Sequence, residues 1–300
     1  MTASIRVVVN PTAGRRRGKF LQRVLAGLAA RHVPHDVAET AAAGHARRIA
    51  AELPRTTRTI VAAGGDGTIN EVLNGLAAGG ATGAPPPDLA LVPLGTANVL
   101  AAEIGLTGLS PQQISDTIVE GQRRNIFLGR ADDHYFAQMC GVGFDAHVVA
   151  NVNLRLKRRV KKLAYVLASL LQIWRYVPRG YRATIDGKVY EAASVIVANG
   201  RFYAGRFICA PHARVDDPLL HVCLFRRTGR WNVIRYAWGM LSGRLRHFRD
   251  VLVVPAKNIF IESAAPGPAT EPVQGDGDII ADLPVAIAAG AACVTLRCPA

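Results

Sequence analysis

Three times within the first 125 residues, a short apolar run ends in a turn of small residues and is followed by apolar positions at helical spacing. Ile5 to Val9 stops at Asn10-Pro11, and Phe20, Val24, Leu25 and Leu28 then share a helical face. Thr59 to Ala63 enters Gly64-Gly65-Asp66-Gly67-Thr68, after which Ile69, Val72, Leu73 and Leu76 align. Leu89 to Leu94 leads through Gly95-Thr96 into a helix expected from Ala97 to Ile104. Unbroken apolar strands are those buried on both faces, so this repetition predicts a parallel sheet covered by helices. The Gly- and Pro-rich stretch from 78 to 87 reads as a surface loop.

Beyond residue 125 the pattern changes. Tyr135 to Met139, Tyr181 to Ile185, Ala193 to Ala198, Leu219 to Phe225, Val251 to Val254 and Asn258 to Glu262 are short strand-like runs separated by turns. They predict a mostly antiparallel second domain, with one helical stretch at about 152 to 177. The fold class expected is α/β, with a parallel-sheet domain over 1–125 and a β-rich domain over 126–284. The C-terminal segment 285–300 is a candidate to complete the first.

Each turn that follows a strand of the first domain suits a phosphate. Asn10-Pro11-Thr12-Ala13-Gly14 precedes Arg15, Arg16 and Arg17; Gly64 to Thr68 places three glycines and a threonine before a helix; Gly95-Thr96-Ala97-Asn98 repeats the device. Without a Cβ in the way, backbone N–H groups can close on phosphate oxygens at a helix N-terminus. In an open parallel sheet such turns converge at the carboxyl ends of the strands. Two familiar nucleotide signatures are absent. Gly14 to Phe20 has three residues between its glycines where a P-loop has four, and Phe20 stands in place of Ser or Thr. No GxGxxG follows the first strand.

The charge of +14, from 36 Lys and Arg against 22 Asp and Glu, calls for polyanionic partners. Arg155, Lys157, Arg158, Arg159, Lys161 and Lys162 lie beside an apolar run and the aromatics Tyr165, Trp174 and Tyr176, a pattern suited to an anionic membrane surface. Seven arginines occupy the acid-free stretch from Pro218 to Arg249, yet no recognised nucleic-acid module accompanies them, so nucleic acid is not an expected partner. No apolar stretch reaches the roughly 18 to 20 residues of a membrane span. The N-terminus lacks the plan of a secretory signal, and five scattered cysteines without CxxC spacing suit a reduced interior. The expected location is cytoplasmic with peripheral membrane association, and a homodimer is left open. The eight histidines lack metal-ligand spacing.

NPTAG, GGDGTINEVLNGL, PLGTAN, GVGFDA, NGRFYAGRFICAPHARVDDPLL and VQGDGD, in this order along nearly the whole chain, resemble the diacylglycerol-kinase catalytic family. Its bacterial lipid kinases are relatives of sphingosine and ceramide kinases. The resemblance implies ATP-dependent phosphorylation of a lipid hydroxyl, diacylglycerol or a related lipid, in a cleft between two domains. It places ATP on Asn10, Pro11, Thr12, Ala13 and Gly14 and on Gly64, Gly65, Asp66, Gly67, Thr68, Ile69, Asn70 and Glu71. Thr40, Gly95 and Thr96 complete the nucleotide site. It places structural Mg2+ on the Arg214 and Leu219 carbonyls and the Asp217 carboxylate. The catalytic base falls on Asp278, with Asp66 sharing the role as its equivalent does in sphingosine kinases.

Two positions depart from the family pattern. Pro218 replaces a glycine after the paired aspartates, fixing φ near −65° and removing an N–H. Asp278 replaces a glutamate and is one methylene shorter, and a displacement near 1 Å can cost on the order of 100-fold in rate. The alternatives are an NAD kinase-like enzyme and a catalytically weakened lipid-binding or regulatory protein.

Overall fold

The computed structural model describes residues 4–13, 18–79, 86–151, 172, 174, 176–265 and 270–299. Gly14, Arg15 to Arg17 and the basic run 155–162 with Tyr165 lie outside them, so the readings placed there stay expectations from sequence. The chain divides into two compact units, 1–128 with 292–300, and 129–291.

The first unit alternates strand and helix: β1 (Ser4–Val9), α1 (Gly18–Ala30), β2 (His35–Glu39), α2 (His45–Ala51), β3 (Thr57–Gly64), α3 (Asp66–Gly79), β4 (Asp88–Pro93), α4 (Val99–Glu103), α5 (Pro111–Glu120) and β5 (Gln122–Ala131), which begins here. Strand order is β2-β1-β3-β4, all parallel, and the last part of the final strand joins beside β4 through Leu296 and Leu89. All six residues of β4 are buried, as both-face coverage by helices requires. The helix α3 presses Ile69, Val72, Leu73 and Leu76 inward, and α1 presses Val24 and Leu28. A capping box between Ser110 and Gln113, with Pro111 in the first turn, starts α5. The helix anticipated over 97–104 is only the single turn and a half of α4, entered through Asn98 at φ 47°.

The second unit contains β6 (His134–Phe136), β7 (Met139–Val142), α6 (Phe144–Asn151), β8 (Tyr181–Ile185), β9 (Lys188–Ala192), β10 (Ser194–Ala198), β11 (Phe202–Tyr203), β12 (Phe207–Ile208), β13 (Leu220–Phe225), α7 (Arg230–Leu241), β14 (Val251–Ala256), β15 (Asn258–Ser263), β16 (Pro272–Gly275), β17 (Asp278–Asp282) and most of β18 (Val285–Cys298). One antiparallel sheet runs β14-β13-β10-β7-β16-β17. A second pairs β18, β15, β8 and β9 in order, also antiparallel. Val142, Val195 and Val222 from the first sheet meet Ile185, Ile261 and Ile287 from the second in one core, giving a β-sandwich. On the far side of the first sheet, Tyr236 and Met240 of α7 pack with Met139, Ile196 and Cys223.

Candidate functional site

Strand order in the first unit reverses direction between β1 and β3. β2, which follows β1, lies on one side of it, and β3 lies on the other. Ligands of open parallel sheets bind outside the carboxyl ends at such a switch point. Here the ends of four adjacent strands present Thr40, Asn10, Gly64 and Leu94, each tied to a neighbour by the backbone: Thr40 N donates to Val9 O at 2.9 Å, Asn10 N to Ala63 O at 3.1 Å and Leu94 N to Gly64 O at 2.9 Å. The parallel ladder thus continues into the turns and holds them together.

The turn after β1 is shaped by Asn10. Its Oδ1 accepts from Thr12 N at 3.0 Å and Thr12 Oγ1 at 2.8 Å, and its Nδ2 donates to Thr68 Oγ1 in the first turn of α3 at 3.2 Å. Asn10 therefore fastens one predicted turn to the next. Pro11, Thr12 and Gly67 remain exposed, whereas Thr68 and Ile69 are buried. Ile69 is a core side chain whose N–H already donates to Gly65 O at 3.1 Å, so it frames the site from below. Asn70 accepts from Asn74 Nδ2 at 3.1 Å.

Glycine is required at two of these positions by close approach. A Cβ on Gly95 would lie 2.5 Å from the Gly65 Cα, and one on Gly64 would lie 2.4 Å from Thr68 Oγ1. The β3 and β4 turns thus meet backbone against backbone. Thr96 is exposed beside them.

The two acids of the first-unit motif are spent on helix starts. Asp66 Oδ2 accepts from Asn98 N at 2.9 Å and its Oδ1 from Val99 N at 2.6 Å, so the carboxylate caps α4. Glu71 Oε1 accepts from Gly44 N at 2.9 Å and Oε2 from Ala46 N at 3.0 Å, capping α2. Both residues fix the starts of neighbouring helices, a role their motif alone does not reveal.

In the second unit, β16 and β17 are joined by Asp276 and Gly277, with φ of 50° and 92°. Two positive φ values in a two-residue loop define the hairpin turn favoured by Asp-Gly. Asp276 then clamps the loop before β7: its carboxylate accepts from Ala137 N at 2.7 Å, Gln138 N at 2.9 Å and Met139 N at 3.0 Å. Asp278 follows as the first residue of β17, exposed and paired across the ladder with Gly275.

Sequence reading missed the support beneath this turn. Gln274 Oε1 accepts from Gly277 N at 2.9 Å, while Gln274 Nε2 donates to Asp145 Oδ2 at 2.5 Å. The Tyr203 hydroxyl donates to Asp145 Oδ1. A Cβ on Gly141 would strike Asp145 Oδ2 at 2.1 Å, so this glycine makes room for the carboxylate. Burial pushes the Asp145 carboxyl up from its ordinary range, against the lowering effect of the Tyr203 and Gln274 hydrogen bonds. Asp145 lies in GVGFDA, and a carboxylate inside an apolar motif was the available signal.

The segment expected to hold magnesium closes on itself. Asp217 N donates to Arg214 O at 3.0 Å, Leu219 N donates to Asp217 Oδ1 at 3.1 Å, and Arg214 forks onto Asp216 with two contacts of 2.9 Å. No residue from Arg214 to Leu219 has positive φ, so Pro218 fits this turn without strain. Among the described residues no group of three His, Cys, Asp or Glu side chains is placed to hold a metal. The Asp217 carboxylate and two carbonyls are hard oxygen donors that fit a largely hydrated magnesium ion.

Residues 4–131 match the diacylglycerol kinase catalytic domain family, and residues 138–298 match the YegS C-terminal NAD kinase beta sandwich-like domain. Diacylglycerol kinase of Bacillus subtilis (strain 168) is 29% identical over 260 residues, covering 84% of this chain and 82% of its own. A Xanthomonas campestris pv. campestris protein named "Probable lipid kinase YegS-like" is 33% identical over 211 residues, 68% of each chain. The crystal structure of a diacylglycerol kinase from Bacillus anthracis str. Sterne superposes with a TM-score of 0.74 at 26% identity, covering 98% of this chain and 96% of that one.

Proposed function

The chain belongs to the diacylglycerol kinase catalytic family and is a kinase, and we propose that it transfers the γ-phosphoryl group of ATP to the hydroxyl of diacylglycerol or a related lipid. The observation that carries the reading is the backbone contact of the Gly65 and Gly95 turns at the switch point of the parallel sheet. Amide groups there can surround phosphate oxygens, and phosphoryl transfer depends chiefly on positioning and charge neutralisation.

Asn10 to Ala13, Gly64 to Thr68, Thr40 and Thr96 bind the nucleotide in this reading. Asp66 and Glu71 hold the edges of the site through α4 and α2. With both Asp66 oxygens on backbone N–H groups, proton acceptance from the attacking hydroxyl is assigned to the exposed Asp278. The Asp276 clamp and Gln274 fix the turn that carries it, so a shorter carboxylate works from a well-anchored position. Asp217 with the Arg214 and Leu219 carbonyls would hold magnesium, which supplies positive charge to order that loop. Peripheral association with an anionic membrane gives access to the lipid.

The test is ATP-dependent phosphorylation of diacylglycerol, monoacylglycerol, phosphatidylglycerol, sphingosine and ceramide, run beside NAD. Phosphate is expected on one lipid, with Asp278→Asn lowering the rate by on the order of 100-fold or more and Asp278→Glu retaining it. Phosphorylation of NAD alone, or of lipid at an unchanged rate in Asp278→Asn, would overturn the respective assignments.

A further inference from the structure

The helix α7 is apolar on two faces, and only one is used. Tyr236, Gly239 and Met240 are buried against the sheet. Trp231, Ile234, Trp238 and Leu241, spaced three, four and three residues apart, fall on a single outer stripe and are 79%, 37%, 50% and 52% exposed. Trp174 is 65% exposed and joins this surface, its ring lying under the Arg230 guanidinium at 5.8 Å and its carbonyl accepting from Arg230 at 3.1 Å. The chain has three tryptophans, and all three are exposed here. A soluble surface rarely spends its largest apolar side chains this way.

Charge surrounds the stripe. Arg230 and Arg235 flank it on the helix, and the Arg244 guanidinium lies 5.5 Å from the Trp238 ring centre. Asp250 pairs with Arg227 and Arg235. Arg226, Arg230, Arg244, Arg246 and Arg249 form no ion pair with a described residue, and no acid occurs in sequence between Asp217 and Asp250. In sequence, the segment leading into Trp174 adds six more cations between 155 and 162.

We propose that the outer face of α7, with Trp174, docks on an anionic lipid surface. Tryptophan suits the boundary between headgroups and acyl chains, arginine suits lipid phosphate, and a helix lying in the interface plane uses both. A second copy of the chain would bring like charge against this rim. Ile234 and Leu241 have no counterpart on a nucleic-acid backbone. The idea draws its sense from the lipid-kinase reading, but vesicle binding is measured without turnover, so the two fail separately.

The experiment uses the full chain with substrate-free vesicles of phosphatidylglycerol and phosphatidylcholine, and with phosphatidylcholine alone. Because every tryptophan lies in the patch, anionic vesicles are expected to shift intrinsic fluorescence to the blue, and brominated acyl chains are expected to quench it. In flotation, Trp231→Ser with Trp238→Ser is expected to weaken binding by on the order of tenfold, and Arg230→Glu with Arg244→Glu to weaken it and reduce its salt dependence. Phosphorylation of detergent-dispersed lipid by these folded variants should stay unchanged. The proposal fails if neither vesicle moves the fluorescence of folded protein, if both variants float like the parent, if only a single-stranded oligonucleotide binds, or if the tryptophans are covered by a dimer in dilute solution.

Discussion

At the residue scale, the carboxylates divide by what their oxygens touch. Asp66, Glu71 and Asp276 each accept from two or three backbone N–H groups, and so act on chain geometry. Asp278 stays exposed. Asp145 is buried, and unlike the buried Asp88 and Glu271, which pair with arginines, it is held by Tyr203 and Gln274. Its raised pKa means the folded state holds its proton more tightly than the unfolded chain does. That contribution to stability is complete below the ordinary value of 3.8 and is lost as pH rises through the folded value. Urea unfolding at pH 4.5 and pH 8 should therefore show the parent losing stability relative to Asp145→Asn as pH rises. Equal pH slopes in the two proteins would contradict it. Motif reading singled out Asp278 and Asp66 alike, because the sequence does not show which N–H groups lie opposite a carboxylate. Gln274 carries no signal of its own; only folding brings it between Gly277 and Asp145.

At the element scale, the predicted strands β1, β3 and β4 and helices α1 and α3 were legible because continuous burial and helical periodicity leave different patterns. The strand β2 was not, since HDVAE at the sheet edge has no buried run. Helix α7 escaped as well: with apolar residues on both faces, its periodicity is blurred. The turns are where elements make the site. Gly95→Ala forces a Cβ to 2.5 Å from Gly65 Cα, backbone that cannot rotate away. Overpacking of this kind costs about 1–3 kcal/mol, and pushing the two turns apart should raise the KM for ATP more than it lowers kcat. Gly18→Ala, with nothing within 4 Å of its new Cβ, is the control and should leave both stability and KM unchanged. A Gly95→Ala protein with parental melting temperature and KM would remove the close-packed turn from the account.

At the scale of the whole molecule, each unit has its own architecture: a parallel α/β layer over 1–128 with 292–300, and a sandwich over 129–291. The chain leaves the first unit within β5 and returns to it within β18, so the last residues complete a sheet that begins at Ser4. No described helix is long and apolar enough to cross a membrane. Nucleotide binding should register as local protection within the first unit. On adding a non-hydrolysable ATP analogue, hydrogen exchange is expected to slow at Asn10–Ala13, Gly64–Thr68 and Gly95–Asn98, three segments far apart in sequence and adjacent in the sheet. Exchange unchanged at all three under saturating analogue would place the nucleotide elsewhere.

The sequence by itself determined the three strand–turn–helix repeats built on β1, β3 and β4 in the first unit, the glycine turns within them and the antiparallel character of the second. Those features follow from local chemistry: burial periodicity, missing Cβ atoms and turn residues act over a few positions. Only the tertiary structure decided that Asp66 and Glu71 cap helices, that Gln274 braces the turn carrying Asp278, and that three tryptophans share one arginine-rimmed surface. Each of these joins residues far apart in the chain, and a hydrogen bond or an exposed patch exists only once folding has set the distance.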